Sequence, residues 1–262
     1  MSDDEPLPTR AELEAVFRLK HGAPETTGWA PARRFRNGYF TPADVYESLV
    51  SRFVQPGIRW LDVGGGHAVF PDNPQLAKQL VGRAAHVAAV DPSDNVHQNE
   101  FVQERFQGFL EDYTSAEPFD LATMRMVVEH VAAPEAFVTA LSRLVKPGGH
   151  AIIYTVNRWA PITLLSWAVP FKLHHPVKKL FWGGEEKDTF PVQYKMNTRR
   201  TLKGLFHGAG FEERLFAKLD DLSTLGRFKR LNHLELLLWK GFRSVGLAYP
   251  ENCLLGVYRR LR

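Results

Sequence analysis

Three groups of residues in this 262-residue chain have types and spacings that could do chemistry. The first is Trp60-Leu61-Asp62-Val63-Gly64-Gly65-Gly66-His67-Ala68, an apolar run that enters three consecutive glycines and then heads toward a helix. Glycines belong there when a backbone must turn sharply and let a ligand approach where a Cβ would collide. A plain turn after a core strand has the same appearance. The second is Asp91, which closes the run Val87-Ala88-Ala89-Val90. An acid at the end of the strand that follows a glycine loop is placed to accept hydrogen bonds from both hydroxyls of a ribose. The third is Pro170 to Tyr194, where aromatic residues alternate with His174, His175, Lys178, Lys179 and Asp188. Apolar walls carrying a few titratable groups suit a small-molecule pocket, and a lid packed only for stability would look alike.

These groups need a framework to hold them. From Ile58 the chain alternates short apolar runs with amphipathic segments, the pattern of successive βαβ units and a mainly parallel sheet. Strands are expected near 58–63, 86–90, 106–110, 119–124 and 150–156. Before the last of these, Phe137, Val138, Leu141, Leu144 and Val145 share one helical face, and Lys146-Pro147-Gly148-Gly149 stops the helix. After Asn157 the rhythm is lost for about forty residues, then a helical pattern resumes at Thr198 and closes at Gly208-Ala209-Gly210. Apolar runs at 213–219 and 252–258 flank a leucine-rich helix at 229–240 and predict two last strands as a hairpin-like pair. Ahead of the sheet, Leu13, Val16, Phe17 and Leu19 recur at helical spacing, and a second helix starts after Thr41 with Pro42 in its first turn. Between them, Arg33 to Tyr39 combines three arginines with two aromatics, either to cover a ligand carboxylate or as a solvated turn. The expected organisation is an N-terminal helical cap at 1–57 and a ligand-binding domain at 58–262, with a substrate-side insertion at about 157–197.

Composition narrows the function classes. The chain is 44% hydrophobic and 24% charged, as in ordinary globular proteins, and Met1 to Pro8 is expected to be loose. The acidic start Ser2-Asp3-Asp4-Glu5 lacks the basic and apolar run of a signal peptide, so a cytoplasmic location is expected. The single cysteine, Cys253, sits among Leu254, Leu255 and Val257 and reads as a core thiol. A formal charge of +4 and a pI near 9.2 come from dispersed residues with no recognition motif, so no nucleic-acid partner is expected. The apolar stretch Trp159 to Leu173 is broken by Pro161 and Pro170 and is too short to span a bilayer. Adjacent His174 and His175 cannot share one metal ion, and no metal site is expected.

With Asp62, Gly64, Gly66 and Asp91 in hand, the chain resembles the class I S-adenosylmethionine (SAM) dependent methyltransferases, in particular the ubiquinone and menaquinone biosynthesis branch. Further matches follow in order: Phe119-Asp120-Leu121, Val128-Glu129-His130-Val131, Leu144 to Gly149 and Gly208-Ala209-Gly210-Phe211. The resemblance implies a Rossmann-like seven-stranded α/β sheet with helices on both faces, and a SAM cofactor that leaves as S-adenosylhomocysteine (SAH). It implies that Asp62, Gly64, Gly65 and Gly66 surround the methionine end and that Asp91 takes the ribose. Leu110, Glu111 and Asp112 would meet the adenine edge, with Met124 and Arg125 on the sulfonium side. The sequence departs from the family pattern where Ala68 replaces a glycine and Phe109 stands at a frequent acid position.

The acceptor implied is small or lipid-like. Asp188 and Tyr194 are the candidate acceptor contacts, because related quinone O-methyltransferases carry a polar Thr-His-Asp-like segment at about this point. Here the histidine is missing, and His174 or His175 could take its place. His130 is expected to fix the turn after the fourth strand, and the basic, aromatic stretch 159–182 has the character of a surface that rests peripherally on a membrane. Two other readings remain open at this point: a catalytically silent SAM-binding protein that engages a partner, and a nicotinamide-dependent oxidoreductase, whose fingerprint would need glycine or alanine at Val69.

Overall fold

A computed structural model describes residues 5–161, 163, 190–222 and 228–261. Seven strands form one sheet: β1 Arg59–Val63, β2 His86–Asp91, β3 Glu104–Gln107, β4 Phe119–Arg125, β5 Val145–Val156, β6 Phe211–Leu219 and β7 Cys253–Arg260. Their order is β3-β2-β1-β4-β5-β7-β6. The first five strands pair in parallel, and β7 inserts antiparallel between β5 and β6. The sheet therefore has the seven strands that the family resemblance implies, and its last two pair as expected. Strand order reverses at β1, whose neighbours are β2 and β4, so the crevice at the carboxyl ends of these strands is where an open α/β sheet receives a ligand.

Alternation along each strand divides the core. Leu61, Val63, Ala122, Met124 and Ile153 face a layer that includes α5 (Pro134–Leu144) and α6 (Arg199–Gly208). Trp60, Leu121, Ile152 and Tyr154 face the opposite layer, built from α1 (Arg10–His21), α3 (Pro42–Phe53) and α4 (Pro74–Val81). Both α1 and α3 begin with reciprocal capping boxes, Thr9 with Glu12 and Thr41 with Asp44, and Pro42 occupies the first turn of α3.

The structure revises several expectations. Arg33, Arg34, Phe35 and Arg36 form the last turn of a helix, α2 (Trp29–Arg36), and the reversal falls afterwards at Gly38, where φ is +68°. Strand β3 ends at Gln107 instead of continuing to 110, because its partner β2 has already finished: Asp91 lies opposite Gln107, and its carbonyl accepts from Gly108 N–H at 3.0 Å. The turn at Lys146 to Gly149 is a bulge inside β5, with Val145 opposite Phe119 and His150 opposite Leu121. Residues 5 and 6 are tied down, as Glu5 N–H donates to Arg214 O at 2.9 Å and Pro6 O accepts from Arg52 at 2.7 Å. Cys253 is buried, and burial pushes its thiol up to about 12. The leucine-rich helix extends further than expected, as α7 (Lys229–Ser244).

Candidate cofactor site and acceptor side

At the end of β1 the chain turns with Gly64 at φ +73° and Gly66 at φ +40°. Gly64 N–H donates to Val90 O at 2.7 Å, which pins the turn to β2. A Cβ on Gly64 would stand 2.2 Å from Val127 Cγ2, and one on Gly65 would stand 2.9 Å from Ala89 Cβ and 3.1 Å from Asp62 Oδ2. Steric closeness and left-handed backbone both require glycine at Gly64. Gly66 has no such obstruction: its missing Cβ would lie 3.9 Å from Asp91 Oδ2, along open space beside that carboxylate.

Asp91 is buried at the tip of β2. Its Oδ2 accepts from Gly66 N–H at 3.0 Å and its Oδ1 from Ser93 N–H at 2.8 Å. Two backbone donors fix the carboxylate and leave it further lone pairs to accept a diol. His67 is exposed at the loop surface.

Asp62 is enclosed more completely. Its Oδ1 accepts from Thr123 Oγ1 at 2.8 Å, and that oxygen accepts from Trp60 Nε1 at 2.8 Å. Among the described residues no cation lies within ion-pair distance of it. Burial pushes the Asp62 carboxyl up to about 7, against the opposing pull of Thr123 and the more distant Arg125. A buried acid short of a counter-charge, beside a glycine turn and a second carboxylate with lone pairs to spare, fits a ligand that combines an ammonium group with a ribose, as SAM does.

The remaining cofactor candidates divide. Leu110, Glu111 and Asp112 form a short 3₁₀ turn beyond β3, in which Leu110 is buried and Asp112 exposed. Glu111 O accepts from Arg143 at 3.3 Å, and Phe109 is exposed before the turn. Met124 is enclosed in the core with Val63, Val128 and Ile153, so the tip of β4 presents Arg125, which pairs with Asp72 at 2.8 Å. Asp72 was not legible as a partner, since only the fold brings it to β4.

Asp188, His174 and His175 lie outside the described residues. Tyr194 lies inside them and is half-buried, with φ at +50°. Its N–H and that of Gln193 both donate to Glu129 O, at 3.1 and 2.7 Å. His130 Nδ1 donates to Pro191 O at 3.2 Å, and Lys195 Nζ to Ala132 O at 2.7 Å, so 191–195 is fastened to the loop after β4. Beneath it Glu129 is buried, its Oε2 accepting from Thr155 Oγ1 at 2.7 Å, and Thr155 in turn accepts from Asn197 Nδ2 at 2.8 Å. Burial pushes the Glu129 carboxyl upward, and burial followed by the Glu129 charge pushes the Tyr194 hydroxyl upward. In the sequence Glu129 stands out only as part of a turn motif.

On the other side of β5 a cavity of about 470 Å³ opens beneath the N-terminal helices, bounded by His21, Arg34, Pro42, Asp72, Tyr154 and Asp221 among others. The Tyr154 ring lies 5.5 Å from that of Tyr46, whose hydroxyl is pushed upward by burial and then by Asp62. Asp72 therefore joins this cavity to the tip of β4. Arg34 Nη2 donates to His21 Nε2 at 3.5 Å, and among the described residues Arg34 has no carboxylate partner.

Residues 35–214 match the family described as a methyltransferase domain, and the chain belongs to that family. It is a SAM-dependent methyltransferase of class I. A ubiquinone biosynthesis O-methyltransferase of Thiobacillus denitrificans is 33% identical over 171 residues, which are 60% of this chain and 67% of that protein. Its namesake in Maricaulis maris is 33% identical over 112 residues, 39% of this chain and 42% of the relative. The crystal structure of a SAM-dependent methyltransferase from Mesorhizobium loti superposes with a TM-score of 0.50 at 17% identity, covering 82% of this chain and 98% of that one, and so shares the fold.

The raised Asp62 carboxyl has a consequence for the ligand-free protein. The folded state holds the proton up to about pH 7 while an unfolded aspartate releases it near 3.8, so between these values the folded state binds more protons and Asp62 makes stability fall as pH rises. The slope from one such group approaches about 1.4 kcal/mol per pH unit. Asp62→Asn should remove that contribution, making the urea midpoint less sensitive to pH than in wild type across this window. Parallel profiles for the two proteins would show that Asp62 is not held protonated.

Proposed function

We propose that Asp62 and the Gly64-Gly65-Gly66 turn receive the methionine end of SAM, that Asp91 receives its ribose, and that the methyl group passes to an oxygen of a small acceptor. The observation that carries this reading is the enclosed Asp62 carboxylate beside the glycine turn and Asp91, at the reversal point of the sheet. SAM supplies an electrophilic methyl on a sulfonium. The chain's own residues hold and align the partners, which is the main requirement of an in-line displacement. Arg125 and Asp72 brace the tip of β4, and Leu110 to Asp112 border the adenine end. Oxygen is favoured by the names of the relatives, which are O-methyltransferases.

For the acceptor, Tyr194 offers a hydroxyl next to a buried carboxylate, while Arg34, with no carboxylate in ion-pair distance among the described residues, offers a cation at the cavity under the N-terminal helices. Tyr194 would orient the nucleophile and Arg34 would bind an anionic or strongly polar end of the acceptor. Asp188 is carried with Tyr194 as an acceptor contact by family resemblance. A lipid-like acceptor delivered from a membrane is compatible with this reading, and among the described residues no helix is long and apolar enough to cross one.

Calorimetry with SAH tests the cofactor half. Asp91→Ala should weaken binding by about 1.5–3 kcal/mol through loss of charge-assisted hydrogen bonds, and unchanged affinity in a folded variant would remove Asp91 from the ribose site. Mass spectrometry of a cell extract incubated with methyl-labelled SAM identifies the acceptor for the other half. With it, Tyr194→Phe should lower kcat about tenfold or more at unchanged SAM affinity. Equal turnover would take Tyr194 out of the site. Arg34→Ala should raise KM for the acceptor several-fold with kcat nearly preserved, the behaviour of a group that binds ground and transition states alike. A matching loss of SAM affinity would assign Arg34 to the cofactor instead.

A further inference from the structure

Helix α7 buries Asn232, Glu235, Leu236 and Trp239, which pack toward Tyr39, Leu222 and Tyr249. Its other side is apolar and exposed. Leu231, Leu234, Leu237 and Leu238 are each about half exposed, at 49, 54, 49 and 50%, and Phe242 is exposed at 39%. Residues 231, 234, 238 and 242 recur at three- and four-residue spacing, so they form one stripe along the helix, and 237 lies beside it. Val245 and Leu247 extend the apolar surface past the helix end at 68 and 58% exposure. Single exposed leucines need no explanation, whereas a contiguous row of them on a helix marks a surface that meets something apolar.

The charges beside the stripe say what that is. The helix carries four cations, Lys229, Arg230, Lys240 and Arg243, and its one acid, Glu235, is on the buried face. Arg230, His233 and Lys240 are exposed along the flank between the apolar stripe and the core face. Two copies meeting on this face would bring like charges together. A basic flank beside an apolar stripe is instead complementary to a surface with an apolar interior and anionic headgroups.

We propose that α7 is an interfacial helix that docks this protein on an anionic lipid surface, inserting Leu231, Leu234, Leu238 and Phe242 below the headgroups while Arg230 and Lys240 pair with them. The helix is connected to the end of β6 and the start of β7, where Leu219, Cys253 and Val156 lie side by side, so it is joined to the sheet at the end where β4 and β5 also finish. Docking of this kind is independent of methyl transfer and can be measured without catalysis.

The experiment is co-sedimentation of the full chain with phosphatidylcholine vesicles, with and without phosphatidylglycerol, at low and high salt. Binding should be at least about tenfold stronger to the anionic vesicles and should weaken with salt. The double variant Leu234→Glu/Leu238→Glu should lose at least about tenfold in vesicle partitioning, and Arg230→Glu/Lys240→Glu should lose the preference for anionic lipid. These side chains face solvent, so thermal melting and SAH affinity should stay at wild-type values. No binding to anionic vesicles overturns the proposal, as does equal binding by the leucine variants. A concentration-dependent dimer in analytical ultracentrifugation that Leu234→Glu/Leu238→Glu dissolves, without vesicle binding by wild type, assigns the face to a second copy and likewise overturns it.

Discussion

A carboxylate held out of water, with no cation in ion-pair reach among the described residues, is the constraint around which the site is built. Burying an ionised acid costs several kcal/mol unless hydrogen bonds or charges compensate, and Asp62 has one strong donor, Thr123. Burial accordingly raises its affinity for a proton. The Trp60 indole holds Thr123 in register, so a donor chain across β1 and β4 aims the carboxylate before any ligand arrives. A ligand ammonium would exchange that proton for an ion pair in a dry place, where electrostatic interactions are strongest. The glycine turn follows from the same geometry, because a side chain on Gly65 would crowd Asp62 Oδ2.

Holding such a site requires that the loop after the turn be anchored, and the N-terminal helices supply the anchor. Lys20 of α1 reaches Glu47 and Asp44 of α3 at 3.0 and 3.4 Å, almost fully enclosed. Glu47 also accepts from Asn73 Nδ2 at 2.9 Å, while Asn73 Oδ1 caps α4 through Leu76 N–H at 3.2 Å. Breaking a buried network of this kind leaves an unpaired charge and costs more than its formation gains, so its value lies in fixing one arrangement. The helices ahead of the sheet are thereby coupled to the loop from Gly64 to Asn73, and Arg34 and His21 are brought over the cleft by the same framework.

What could be read from the residues and what could not follows a physical line. Strands buried on both faces, the glycine turn and the acid at the end of β2 are local patterns, and they were legible together with their order. Asp72 and Tyr46 act through partners distant in sequence, and no spacing rule announces Arg125 with Asp72 or Tyr46 beside Asp62. Met124 and Arg125 are adjacent candidates that the pleat sends to different surroundings, Met124 into the core and Arg125 to Asp72. Helix α7 was legible as leucine-rich, but its burial was not. Periodicity identifies a stripe without saying whether protein or something else will cover it, and here the covered face is the one with Trp239 and Asn232.

Methyl transfer rewards exact alignment more than acid–base power, and the backbone around the tip of β4 is organised accordingly. Met126 and Tyr194 are the non-glycine residues with positive φ, at +55° and +50° among the described residues, and both stand at this tip. Such conformations persist only where surrounding bonds over-determine them. Met126 N–H is held by Tyr154 O at 2.8 Å from β5, and Tyr194 N–H by Glu129 O from the loop after β4. Tyr154 faces the cavity and its neighbour Thr155 holds Glu129, so β5 sends one residue to each face of the sheet. Strain at Met126 and Tyr194 is thus balanced by bonds to two elements, β5 and the loop after β4. Groups at this tip therefore have positions set by the sheet, with little freedom left to lose when a transition state forms beside them.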